Sequence, residues 1–238
     1  MFNKKKFFIE IKKKLHNKEI PRIDLHNHTN WTDGEHSVKE MYNESLKKKI
    51  THFLFSEHSR KTSGKWFNSF ADQIKKLPSD KCIPLIGTEV KIEDFKGNLD
   101  ISQNIKKKCD LIMASVHRFP GEVGNIKKKK LDLQNKEIVA IEYELSKSAI
   151  KNSNFDIMGH PFGMSLKRFK IDPPFKFFID LIKICKKNDK AFEINFNYHK
   201  NPKKLLSACI DYDCFISLGS NSHKKSEVGK ILNEKNWK

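Results

Sequence analysis

Short apolar runs alternate along the chain with longer stretches in which apolar residues recur at helical spacing, and the alternation repeats about seven times. The short runs are Ile20–His26, His52–Ser56, Ile83–Thr88, Leu111–Val116, Phe155–Met158, Ala191–Asn195 and Phe215–Leu218. They are too short for helices and rich in β-branched and aromatic residues, so they read as strands. Ser37–Lys49, with Val38, Met41 and Leu46, reads as a helix, as do Lys136–Lys151 and Pro174–Lys187. Pro174 and Pro202 suit first-turn positions. Strands alternating with helices at this spacing predict parallel strands joined by crossover helices, and seven such units predict a closed α/β barrel. No repeat of fixed period and no Gly/Ser-rich linker marks a boundary, so a single domain is expected. Residues 1–19 read as a basic extension or short helix and residues 20–238 as the barrel. Phe7, Phe8, Ile11 and Leu15 would line one face of that helix, either across the barrel floor or against a membrane surface, with packing favoured.

Composition changes this picture little. The formal charge is +18, from 47 Lys+Arg against 29 Asp+Glu, which by itself points to nucleic acid, anionic lipid or an anionic substrate. Only Arg22, Arg60, Arg118 and Arg168 are arginines; the lysines are spread over the whole chain, and runs such as Lys12–Lys14, Lys47–Lys49 and Lys127–Lys130 read as solvated faces. The five cysteines form no C-x-x-C pair and sit mostly in apolar runs, as expected for small hydrophobes in a reducing cytoplasm. No segment approaches membrane-spanning length. The longest loop is expected at Arg118–Gln134, where Pro120, Gly121 and Gly124 oppose regular structure; it reads equally as a lid or as a surface loop.

Nearly every strand run ends in a residue able to bind a metal: His26 and His28, then His58, Glu89, His117, His160, and finally Asn221 with His223. A lone histidine at a strand end is ordinarily a satisfied polar residue. Here six of the ten histidines occupy such places. In parallel barrels the C-terminal strand ends converge on one face, so residues far apart in sequence are expected to meet there. Strand alternation puts His26 and His28 on one face with Asp24, and the turn through Thr29, Asp33 and Gly34 would bring the Asp33 carboxylate to the same rim. Imidazoles with carboxylates suit zinc, manganese or iron, and the lack of thiolate spacing argues against a zinc finger.

The pieces D-L-H-N-H-T-x-x-x-D-G (Asp24 to Gly34), S-E-H (Ser56 to His58), G-T-E (Gly87 to Glu89), S-V-H (Ser115 to His117), G-H-P (Gly159 to Pro161) and G-S-N-S-H (Gly219 to His223) together resemble the PHP (polymerase and histidinol phosphatase) family. The resemblance spans roughly Ile20 to Leu232 and rests on the ordered set, since any single piece is weak. It implies a distorted (β/α)7 TIM-like barrel with two or three divalent metal ions. One ion would be held by His26, His28, the bridging Glu89 and Asn221, a second by Glu89, His117 and His160, and a third by Asp33, His58 and His223. The family pattern reads G-S-D-x-H where this chain has Asn221, whose carbonyl still coordinates but brings no charge, so weaker binding of the first ion is expected. Glu57 stands where the family often has Asp.

Divalent ions about 3.5–4 Å apart activate water and neutralise a bound phosphate, so the resemblance implies a metal-dependent phosphoesterase with Glu89 fixing the ion spacing. His223 is the preferred proton donor to the leaving oxygen. In a chain so poor in arginine, Arg60 and Arg118 each follow a candidate ligand within two residues and read as phosphate contacts. Arg168 and Lys224 remain further contributors, and Glu193 and Asn195 either shape the pocket or support it by hydrogen bonds. The expected substrate is a small phosphomonoester such as histidinol phosphate. A nuclease or phosphodiesterase acting on nucleic acid, favoured by the charge, is the alternative, and a non-catalytic module in which Asn221 marks decay is a third.

Overall fold

The computed structural model describes residues 2–124, 131–233 and 237. Its sheet has seven strands in the order of the sequence: β1 (Ile23–Asn27), β2 (His52–Ser59), β3 (Ile83–Lys91), β4 (Leu111–Ser115), β5 (Ile157–Met158), β6 (Ala191–Ile194) and β7 (Phe215–Leu218). All six consecutive pairs are parallel. A parallel bridge between Asn27 and Ser222 joins the two edges at the C-terminal rim, where His28 N donates to Ser222 O (2.8 Å) and Ser222 N to His26 O (3.2 Å). The result is a nearly closed, distorted (β/α)7 barrel of one domain, as the alternation predicted.

The helices are α1 (Lys4–His16), α2 (Val38–Lys47), α3 (Gly64–Lys75), α4 (Gln103–Lys106), α5 (Asn135–Asn152), α6 (Phe175–Lys187) and α7 (Pro202–Asp211). A Ser37/Glu40 capping box starts α2, and Val38, Met41 and Tyr42 turn inward from it. Pro174 is the N-cap of α6 and Pro202 opens α7, where a missing N–H costs nothing. Helix α3 was not among the predicted elements, although Phe67, Phe70, Ala71 and Ile74 give it an i, i+3, i+4, i+7 buried stripe. Strand β1 starts three residues later than expected, after Pro21, which has no N–H to give a ladder. Strands β2 and β3 run further, so His58 and Glu89 lie within them.

Helix α1 crosses the opposite, N-terminal end of the barrel. It buries Phe7, Phe8, Ile11 and Leu15, each contributing about 1.5–3 kcal/mol. The Phe7 ring lies 4.8 Å from that of His52 at the start of β2, and the Phe8 ring 5.8 Å from that of Phe215 at the start of β7. Lys4 pairs with Asp156 (2.8 Å) and Lys12 with Asp213 (2.5 Å). The amphipathic stripe is therefore used in packing. Cys82, Cys185, Cys209 and Cys214 are buried as free thiols and Cys109 is half-buried. No helix among the described residues is long and apolar enough to cross a membrane. Of the long loop, the structure describes 118–124 and 131–134; the Lys127–Lys130 run lies outside the described residues.

Candidate metal centre

The C-terminal rim gathers the chemistry around one buried carboxylate. Glu89, near the end of β3, directs Oε1 at His160 Nε2 (2.7 Å) and His117 Nε2 (3.0 Å). Its Oε2 faces His26 Nε2 (3.3 Å), His58 Nδ1 (3.3 Å) and His28 Nε2 (3.6 Å). Five imidazoles from β1, β2 and the loops after β1, β4 and β5 thus meet one side chain, as the strand endings predicted. His223 lies one step out: its Nε2 is 3.2 Å from Asp33 Oδ2, its ring stacks on His28 at 4.4 Å, and Nδ1 is 3.2 Å from Asn221 O. Asp33 also reaches His58 Nε2 (3.4 Å) and His28 Nδ1 (3.7 Å).

Local sequence explains how these groups approach so closely. A register shift in β1 between Asp24 and Asn27 breaks its alternation. Asp24, expected on the histidine face, instead accepts Ser220 N (2.8 Å) and Gly229 N (2.9 Å), tying the segment after β7 to β1. Gly219 lets β7 pass β1: a Cβ there would lie 2.5 Å from both the Glu193 carboxylate and His26 Cβ. His160 and Asn221 both adopt positive φ (23° and 48°), holding their side chains off the regular strand path. Glu142 on α5 accepts Met164 N (2.9 Å), Ser165 N (2.7 Å) and Ser165 Oγ (2.7 Å), and so fixes the π-helical turn Met164–Arg168 just beyond His160. Burial pushes that carboxyl up to about 7, against the three donors.

Sequence reasoning undervalued Glu193 and missed Tyr198. Glu193, buried on β6, accepts from His26 Nδ1 (2.8 Å) and from His160 N, an orienting role that its place two residues before Asn195 only hinted at. The Tyr198 ring stacks on His160 at 4.3 Å and 9°. Glu57 does not face the cluster; it accepts Thr29 N (2.6 Å) and Thr32 Oγ1 and holds the turn that presents Asp33. Burial pushes it up to about 7.

Electrostatics follow from this crowding. Burial opposes charge on Glu89, but His117, His26 and His160 outweigh it and hold the carboxyl well below its usual range. Burial likewise disfavours protonated His26, yet Glu193 and Glu89 together push it up to about 10. His28 and His117 are lowered, chiefly by burial. Buried acceptors also lack partners: His28 Nδ1, His160 Nδ1 and Asn221 Oδ1 make no hydrogen bond. Burial keeps His28 and His117 in the neutral form that can ligate, and this donor set of imidazoles around a buried carboxylate fits divalent cations.

Three groups of donors lie close enough to share an ion: His26, His28 and Glu89; His58, Glu89 and His117; and His28, Asp33, His58 and His223. The first holds three of the four residues expected for one ion. The second has His58 where His160 was expected, although His160 touches the same Glu89 oxygen as His117. The third adds His28 to the expected set. Beside them opens a cavity of about 900 Å³ lined by Arg60 and Arg118 together with His58, Glu89 and His117. Arg168 instead chelates Glu122 through two nitrogens (2.7 and 2.9 Å), and Lys224 pairs with Glu35 (2.8 Å).

Residues 24–197 match the family model described as PHP domain, a span holding most of these donors. The chain belongs to the PHP domain family. A relative named as a probable phosphatase, from Thermoanaerobacter sp. (strain X514), is 26% identical over 220 residues, covering 88% of this chain and 82% of the relative. Among solved structures, a Listeria monocytogenes protein described as a candidate histidinol phosphatase, hisK, superposes with a TM-score of 0.68 at 18% identity, covering 87% of this chain and 97% of that one. The histidinol phosphate phosphatase of Lactococcus lactis, solved with zinc, L-histidinol and phosphate, gives 0.58 at 18% identity, covering 90% and 93%. Both share the PHP barrel fold.

Proposed function

We propose that this PHP-domain protein is a metal-dependent phosphoesterase that hydrolyses a small phosphomonoester. One observation carries the reading: both oxygens of buried Glu89 face five imidazoles within 3.6 Å, next to a cavity with two arginines on its wall. The relatives named as phosphatases, and the phosphate held with zinc by the Lactococcus lactis protein, support it.

In this reading two or three divalent ions, zinc, manganese or iron, are held by His26, His28, Glu89 and Asn221; by Glu89, His117 and His160; and by Asp33, His58 and His223. When bound, such ions lower the pKa of water and offset phosphate charge. The protein's own groups do the rest. Glu89 sets the spacing of the sites, and Glu193 fixes the His26 tautomer so that Nε2 faces inward. Arg60 and Arg118 meet the anionic groups of the substrate from the open side. His223, with Nε2 at Asp33 and Nδ1 at the Asn221 carbonyl, is the proposed proton donor to the leaving oxygen.

A second reading, cleavage of nucleic acid, draws on a neighbouring depression of about 800 Å³ lined by Lys61, Lys65, Lys107 and Lys108. The deciding experiment strips the protein with chelator, restores zinc, manganese or iron singly, and measures phosphate release from phosphomonoesters, histidinol phosphate included, beside cleavage of single-stranded oligonucleotides. Metal-restored release from monoesters is expected; cleavage of oligonucleotides alone would replace the first reading with the second, and inertness toward both would overturn it.

A further inference from the structure

The cavity beside Glu89 is built by three neighbouring strands and the turns that follow them, each supplying a candidate ligand followed within two residues by a cation: His58 and Arg60 at the end of β2, Glu89 and Lys91 on β3, His117 and Arg118 just after β4. Lys91 follows Glu89 at i+2, so strand alternation turns both side chains to the same side, and both line the cavity. Among the described residues neither the Arg60 guanidinium nor Lys91 Nζ has a carboxylate partner, and Arg118 donates only to Gly124 O (2.7 Å). The opposing acids cancel them only in part. Glu122 is neutralised by the two-nitrogen contact from Arg168, and Asp100 accepts Lys61 N through Oδ1. With Glu89 turned to the histidines, three cations face one carboxylate that no cation among the described residues pairs, Asp100, in a space of about 900 Å³, which is large enough for a whole small ligand and not only for a phosphate.

We infer that the leaving group of the substrate carries a second negative charge, a carboxylate or a further phosphate, received by Lys91 together with Arg60 and Arg118. A cationic amino alcohol is disfavoured there. The inference rests on the phosphomonoesterase reading and narrows it: the scissile phosphate sits at the histidine cluster, and the outer cations read the group it is attached to. Lys91 acts as a specificity residue that touches the substrate away from the reacting atoms.

Matched probes test it. Propyl phosphate, 3-aminopropyl phosphate, 3-phosphooxypropanoate and propane-1,3-diyl bisphosphate share one ester and differ in terminal charge. We expect kcat/KM for the carboxylate or bisphosphate to exceed that for the amine by about tenfold or more, and Lys91→Met to shrink that ratio about fivefold, as loss of one partly exposed charge contact should. Calorimetric binding of the same probes to the protein as purified should show the same order. Equal or better use and binding of the amine would overturn the inference. Charge-ordered binding without turnover would sustain it and sink the hydrolase reading, whereas turnover blind to terminal charge would do the reverse; the carboxylate and bisphosphate arms separate the two kinds of anion.

Discussion

Glu193→Gln is the change that isolates how the site is supported from what lines it. The side chain keeps its size, yet the carboxylate has two distinct tasks: Oε1 accepts from His26 Nδ1 at 2.8 Å, and Oε2 accepts from His160 N. An amide can do only one. If its oxygen stays on His26, the new NH₂ meets the His160 N–H, donor against donor. If it flips, His26 must accept at Nδ1 and carry its proton on Nε2, which then points at Glu89 and cannot ligate. Either orientation forfeits a charge-assisted bond worth about 1.5–3 kcal/mol. That corresponds to a weakening of metal affinity of about 10- to 100-fold, the range typical for groups that orient ligands. Competition against a chromogenic chelator measures it directly. Zinc affinity within about twofold of the parent protein would show that the ligands are held in place without Glu193 and would refute the reasoning.

His117→Ala removes the nitrogen 3.0 Å from Glu89 Oε1; hydrolysis should fall by more than about a hundredfold, while circular dichroism stays that of the parent because the side chain is only partly buried beyond β4. Near-normal turnover would contradict its place in the ligand set. Asn221→Asp restores a charge at a position whose φ of 48° an aspartate tolerates, and should tighten metal binding about tenfold; unchanged affinity would place residue 221 outside the coordination shell. Glu142→Gln tests the buried support of the His160 loop. Burial raises the folded-state pKa of Glu142 from 4.5 to about 7, so its contribution is fully present below about pH 4.5 and is lost as pH rises through about 7. The amide abolishes that dependence, and the variant should gain about 3 kcal/mol on the parent between pH 4.5 and 8 in denaturant melts; a difference independent of pH would refute the assignment.

The barrel was legible because each strand is a compact apolar run bounded by polar segments, and the convergence of His26, His28, His58, Glu89, His117, His160 and His223 followed from parallel topology alone. What escaped was local. The shift within β1, and the hold of Asp24 on Ser220 N and Gly229 N, depend on pairing with β2 and β7, which no alternation along one strand encodes. Tyr198 reaches His160 through a loop whose path is set by contacts across the rim. Helix α3 was legible, since Phe67, Phe70, Ala71 and Ile74 carry its period. Lys91 too was marked by its i+2 relation to Glu89, yet one lysine among so many gave no contrast.

The docking of α1 on β7 also sets an order of events during synthesis. Helix α1 is made long before β7 yet rests against Phe215 on that strand, so Phe7, Phe8, Ile11 and Leu15 have no complete seat until β7 has been made. Contacts between segments far apart along the chain are the slowest to close. Until they do, the nascent barrel presents an open, greasy base that invites other chains, and the lysines interspersed along α1 are the charges that hold such partners at a distance.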